Sequence, residues 1–150
     1  MIFKVNTRYS GKVNLKPHVE LYSVKDFMGK ALPGLAITLT DADTFEPFTV
    51  LTKSFGEFIG CKNAAYIDTN NCPYAKQLLQ EGIAMDTGIK KLSGYCQYPL
   101  WVFSEQFLKE HGAENYQKYS DEYDEYMGIK TAETEPDLGE NEDGGLVMNQ

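Results

Sequence analysis

Hydrophobic and polar positions alternate through much of the first half of the chain. Ile2-Phe3-Lys4-Val5-Asn6-Thr7-Arg8-Tyr9 is β-rich, Ser10-Gly11 signals a turn, and Val13-Asn14-Leu15 with Val19 to Val24 resumes the period of two around Pro17. Pro17 has no N–H to give to a ladder, which predicts an edge or bulged position. Leu32-Pro33-Gly34 punctuates the chain before a strand at Leu35 to Thr40, and Phe48 to Thr52 reads as its antiparallel partner across the turn Asp41-Ala42-Asp43-Thr44. Ala65-Tyr66-Ile67 is a further short strand.

The period then changes. Pro73 suits a first helical turn, Tyr74 to Glu81 supplies helix formers and Gly82 suits a stop, which predicts a helix too short to stand without packing on a sheet. Asn70 or Asn71 is expected to cap it, with Tyr74 and Leu78 facing the sheet. Ile83 to Lys91 reads as a loop around Thr87-Gly88. Tyr98 to Phe103 returns as an apolar strand with Pro99 at its edge or beginning. Ser104 is a good N-cap for a helix through His111, Gly112 an interruption, and Ala113 to Met127 a second helical stretch ending at Gly128. The expected fold is α+β: an antiparallel sheet of four to six strands with one short helix and a C-terminal helical segment. One domain is expected over 1–129, and the Gly- and acid-rich residues 130–150 read as an acidic, flexible tail.

Charge changes this picture. Residues 1–103 carry 11 Lys and Arg against 9 Asp and Glu, whereas residues 104–150 carry 3 against 13, a net of −10. Phosphate binding needs clustered Lys and Arg, so direct nucleic-acid binding is not expected. An acidic third favours a basic protein surface, including the nucleic-acid channel of another protein. Tyr116, Tyr119, Tyr123 and Tyr126 fall on one helical stripe, with Glu114, Asp121 and Glu125 opposite around Lys118. Two readings of this segment stand side by side. Either the tyrosines pack on the body and the acids are its solvated side, or the segment docks on a partner through Glu114, Tyr119, Asp121, Glu122, Tyr123, Asp124 and Glu125.

Candidate chemistry is sparse. Cys61, Cys72 and Cys96 form no Cys-x-x-Cys pair and stand far in sequence from His18 and His111, so no zinc pattern is present and reduced thiols are expected. Asp68-Thr69-Asn70-Asn71 and Asp41-Ala42-Asp43 resemble calcium loops locally. A full loop needs Gly at its sixth place and Glu at its twelfth, and these hold Pro73 and Leu79 in one case and Glu46 and Thr52 in the other, which leaves turn chemistry. Cys72 lies near a helix start, yet no spacing pairs it with a base. Glycine signatures for nucleotides or acyl transfer are absent. The expectations are therefore a non-enzyme with no cofactor, no metal and no catalytic residue. An alternative is a ligand pocket between sheet and short helix near Asp68, Asn70, Cys72 and Tyr95. No apolar run is long enough to cross a bilayer, and with no leader-like start a cytoplasmic location is expected. Oligomeric state is left open.

Residues Ala65 to Ala75, with Tyr66, Asp68, Asn70, Pro73 and Tyr74, and Gly94 to Leu100, with Tyr98 and Pro99, carry a resemblance. Over roughly residues 35–108 the chain resembles an uncharacterised domain-of-unknown-function family of small Firmicutes proteins carried by plasmids, conjugative elements and prophages. The acidic stretch after Ser104 is expected to lie beyond the family pattern. The resemblance implies no activity, but a carried element often devotes small genes to disabling host defence. From this follows the expectation of an inhibitor of a defence nuclease, a CRISPR effector ahead of a restriction enzyme, acting by nucleic-acid mimicry. An accessory interaction module of such an element is a further expectation.

Overall fold

A computed structural model of the chain describes residues 3–7 and 11–128, so the expected tail at 130–150 lies outside the described residues. The described strands form two antiparallel four-stranded sheets. The first has the order β1 (Phe3–Thr7), β2 (Gly11–Lys25), β3 (Ala31–Asp41), β4 (Pro47–Val50). The second joins β5 (Thr52–Lys53), β6 (Ala64–Ile67), β8 (Cys96–Phe103) and β7 (Ala84–Ser93) in that spatial order. The α+β class is as expected, but the single sheet is divided in two. The division falls at Leu51: its N–H still donates to Ile37 of β3, while its carbonyl accepts from Asp68 beyond β6.

Pro17, Pro33 and Pro99 lie inside strands, each where a ladder runs on one flank only among the described residues. Pro17 pairs with Leu39, and the described pairing of β1 with β2 reaches only as far as Leu15. Pro33 pairs with Ser23 and so belongs to β3 rather than to a break before it, and β4 reaches only Thr38, Leu39 and Thr40. Pro99 pairs with Lys90, one residue beyond the last β6 partner, Leu100. A residue without an N–H costs nothing on an unladdered flank. That is why β2 and β8 hold proline although both are interior strands.

The expected loop at Ile83 to Lys91 is instead most of β7. Its register against β8 shifts between Asp86 and Lys90, where Thr87 and Gly88 are accommodated. The Thr87 hydroxyl donates to the Leu100 carbonyl at 2.8 Å and accepts from Ile89 N–H, so the irregular stretch is held by side-chain bonds. Beyond the end of β6, the two strands continue as a ribbon to a two-residue turn, Gly94-Tyr95, with Gly94 at φ 62°.

Helix boundaries follow the expected chemistry closely. A 3₁₀ turn at Pro73–Ala75 leads into α1 (Lys76–Gln80), and Gly82 follows with φ 74°. The Ser104 Oγ accepts Phe107 N–H at 3.1 Å and starts α2 (Glu105–Gly112). The chain then breaks at Ala113, with φ 45°, before α3 (Glu114–Met127) ends on left-handed Gly128. One hydrophobic cluster unites Val19, Ile37 and Leu39 of the first sheet with Ile67, Trp101 and Phe103 of the second. Leu78, Leu108, Tyr116 and Tyr119 close it from the helices. No described helix is long and apolar enough to cross a membrane.

Candidate functional site

The tyrosine stripe of α3 faces inward. Tyr116, Tyr119 and Tyr123 are 2%, 4% and 5% exposed, so Tyr119 and Tyr123 sit in the core and are not free to anchor a partner. The hydroxyls of Tyr116 and Tyr119 find polar company there. Asn63, at φ 67°, gives its N–H to the Tyr119 oxygen at 2.9 Å and accepts the Tyr116 hydroxyl on Oδ1 at 2.9 Å. Burial, the leading cause in each case, pushes the Tyr116, Tyr119 and Tyr123 hydroxyls above their ordinary pKa. Tyr126 is half-buried and donates to Asp26 Oδ2 at 2.6 Å. That bond, ahead of the Lys30 and Met28 N–H groups that Asp26 also accepts, holds the carboxyl below its usual range.

The acids of α3 divide in the same way. Asp124 is buried, with the Lys62 ammonium 2.9 and 3.0 Å from its two oxygens, so it fastens the 60–63 segment to the helix rather than meeting a partner. Glu114, Asp121 and Glu125 are exposed, and Glu122 is half-buried and paired with Lys118. Among the described residues, Asp121 accepts only the Gln117 side chain, one turn away. The outward face of α3 is thus a row of carboxylates whose neighbours on the helix neutralise one of them.

The Ala65 to Ala75 and Gly94 to Leu100 motifs meet at the second sheet. Asp68 accepts Asn71 N–H at 3.2 Å and the Asn71 side chain at 2.8 Å, while Asn70 reaches across to the Gln97 carbonyl at 3.2 Å. Neither asparagine caps the short helix. The cap position is Cys72, without a side-chain bond, because both amides are committed to this loop. Asp41 likewise serves a turn, accepting Asp43 and Thr44 N–H on Oδ1. Cys72 is buried and its thiol is pushed up, first by desolvation, the opposite of an activated nucleophile. Tyr74, half-buried beside it, is pushed up for the same reason. Tyr66 and Tyr98 both meet Phe55 edge-on, at 5.3 and 5.5 Å between ring centres. These residues build a scaffold.

Asp68, Asn70, Cys72 and Tyr95 do not come together around a pocket: Cys72 is in the core and Tyr95 projects from the ribbon turn. A groove does lie between α1 and the β7–β8 ribbon, with a volume of about 410 Å³, but other residues line it. Trp101, Lys76 of α1 and Lys90 of β7 are among its lining residues. Reading Ile83 to Lys91 as a loop concealed this site. The one tryptophan and the Lys90-Lys91 pair were the signals available for it. The ribbon has a second unusual property, because Met85, Ile89, Leu92 and Tyr95 are all largely exposed. Such a run along an edge strand is an invitation to pairing or docking.

The structure is a two-sheet α+β fold whose distinctive surface features are a carboxylate face, an apolar ribbon and a groove. The chain belongs to the family described as Domain of unknown function (DUF4313), whose model matches residues 21–123. The match extends through α2 and into α3 as far as Tyr123, so most of the helical segment lies within the family span rather than beyond it, contrary to the expectation from the motifs alone. No curated protein and no solved structure gives a significant match.

Proposed function

We propose that the protein is a non-enzymatic inhibitor that docks the outer face of α3 on a basic protein surface, the nucleic-acid channel of a defence nuclease. The observation that carries this reading is the sorting of α3. With its tyrosines and Asp124 turned inward, Glu114, Asp121 and Glu125 remain outside as one-sided negative charge. A positively charged channel that holds nucleic acid is complementary to such a face, and the same face repels phosphate, so the partner is a protein. The proposal includes carriage by a mobile element and action in the cytoplasm, in keeping with the resemblance of the two motifs.

The test is capture of the partner from a bacterial host lysate on immobilised protein, followed by a cleavage assay of the recovered nuclease. Loss of cleavage with wild-type protein, and its return with a variant lacking Glu114, Asp121 and Glu125 charges, is the expected result. Enrichment of no nuclease, or of one that keeps its activity, overturns the proposal.

A second reading is favoured by the β7–β8 ribbon. Four large apolar side chains exposed on one edge suit an accessory interaction module that binds by apolar contact. In that case Leu92→Lys with Ile89→Lys abolishes capture of the partner, while neutralising the α3 acids leaves it intact.

A further inference from the structure

One face of the β7–β8 ribbon carries charges of both signs beside an exposed leucine. Cross-strand partners in an antiparallel pair share a face. Asp86 pairs with Trp101, Lys90 with Pro99 and Leu92 with Gln97, and these three β8 residues line the groove beside α1. Asp86, Lys90 and Leu92 therefore stand on the groove side, all of them exposed, Leu92 to 69%. Lys91 lies on the other side, across from Tyr98, and is paired there with Glu57.

The charges on the groove side have a symmetry of their own. Asp86 and Lys90 stand two positions either side of Gly88, and among the described residues neither has an ion-pair partner, not even the other. Opposite charges placed evenly about one point are self-complementary. A second copy turned by half a revolution about Gly88 sets each aspartate against a lysine and each lysine against an aspartate. A partner surface of a single sign would repel one of the two. The same rotation carries Leu92 across the axis toward the end of the other copy's groove where Leu79 of α1 forms part of the lining, and a groove of about 410 Å³ has room for it.

The edge of β7 determines how such a contact closes. Between Asp86 and Lys90 the register against β8 shifts, and the Gly88 and Ile89 N–H groups are taken by the Asp86 and Thr87 side chains. A strand interrupted in this way is a poor template for the open-ended addition of further strands. Contact through side chains about a two-fold axis stops at two copies.

The geometry points to the groove side of the ribbon as a self-association surface whose partner is a second copy of this chain, packed antiparallel about Gly88. Asp86 of each copy meets Lys90 of the other, and Leu92 of each enters the other's groove. α3 packs on β2, β3 and α2 rather than on the ribbon, so both acidic faces stay uncovered in the dimer. One ribbon face and one groove make a contact at the small end of specific interfaces, below about 1,200 Å² in total, so the association is weak and reversible.

Sedimentation equilibrium of the full chain, from micromolar to half-millimolar concentration, is expected to show the mass rising from one chain toward two. Asp86→Lys and Lys90→Asp each turn both ion pairs into like-charge pairs, and each is expected to weaken self-association by about tenfold or more. Mixed in equal amounts, the two variants are expected to associate with each other about as well as wild type does with itself, because the rotation then sets lysines against aspartates again. Leu92→Ser is expected to weaken the dimer without changing its salt dependence. Circular dichroism checks each variant; should Asp86→Lys lose the fold because it also holds the Gly88 N–H, Lys90→Asp and Leu92→Ser still decide, and a dimer that survives both overturns the proposal. So does failure of two folded charge variants to associate when mixed. A chain that stays monomeric throughout also overturns it and leaves the ribbon to a different protein. None of these readouts needs a nuclease, so this proposal and the inhibitor reading stand or fall separately.

Discussion

The Asn63 N–H donates to the Tyr119 hydroxyl oxygen at 2.9 Å, joining a left-handed residue just before β6 to the middle of α3. This bond explains how a non-glycine residue holds φ 67° there. Its N–H and side chain are both engaged by tyrosines, and its carbonyl accepts Phe103 N–H at 2.8 Å. Tyr119→Phe keeps the ring and removes the acceptor, so a loss of about 1–2 kcal/mol in urea unfolding is expected. Tyr119→Ala also opens the core and is expected to cost about 3–5 kcal/mol. Equal midpoints for wild type and Tyr119→Phe would mean that the bond contributes nothing net.

Alkaline pH tests the same cluster. Burial raises the pKa of Tyr116, Tyr119 and Tyr123 in the folded state. A raised folded value means the stabilisation is complete below the unfolded tyrosine pKa of about 10 and is lost as pH climbs above it. Tyrosinate absorbance from the three α3 tyrosines is expected to appear in a distinct phase, together with loss of the circular dichroism signal. A single smooth phase with the fold intact contradicts their burial.

Gly112 closes the α2–α3 corner against the first sheet. A Cβ placed there lies 2.9 Å from the Val19 Cβ and 2.8 Å from the Tyr116 Cβ, both close to the backbone and unable to swing away. Replacing a helical glycine by alanine ordinarily gains up to about 1 kcal/mol. Here overpacking, about 1–3 kcal/mol, is expected to win. Thermal unfolding of Gly112→Ala checks the sign, and a raised midpoint would show that the corner can relax.

The helical corner was legible because its signals are local: Ser104, Gly112 and Gly128 each act within one turn of chain, and the tyrosine period needs no knowledge of the rest. The alternation of Leu35, Ile37 and Leu39 with Ala36, Thr38 and Thr40 was legible for a similar reason. β7 was hidden because most of its side chains are exposed, so no core face marks its sequence with a period, and Thr87-Gly88 looks like a turn until β8 is known. Interior positions for Pro17 and Pro99 depend on where neighbouring strands stop, which is a property of other segments. The fate of Asp124 was equally remote, since only folding brings Lys62 to it across 62 positions of chain. The groove required both α1 and the ribbon, and a misread ribbon concealed it.

That separation of buried and exposed acids fixes the form of the charge test. Asp124→Asn breaks a largely buried ion pair and is expected to destabilise the fold by about 1–3 kcal/mol, so it cannot report on binding cleanly. Glu114, Asp121 and Glu125 are exposed, and replacing them together by Gln, Asn and Gln is expected to leave the unfolding midpoint within about 0.5 kcal/mol of wild type. If the outer face of α3 occupies a basic channel, this triple variant loses more than the ~1 kcal/mol of affinity that one exposed ion pair supplies. Wild-type affinity is also expected to fall as salt rises from low to physiological strength, and the variant's to fall less, because screened charge is the term it lacks. Measuring both proteins against the captured nuclease at two salt concentrations separates the outcomes. Equal affinity and equal salt dependence would leave these carboxylates as the solvated side of a packed helix and shift the interaction to the apolar ribbon.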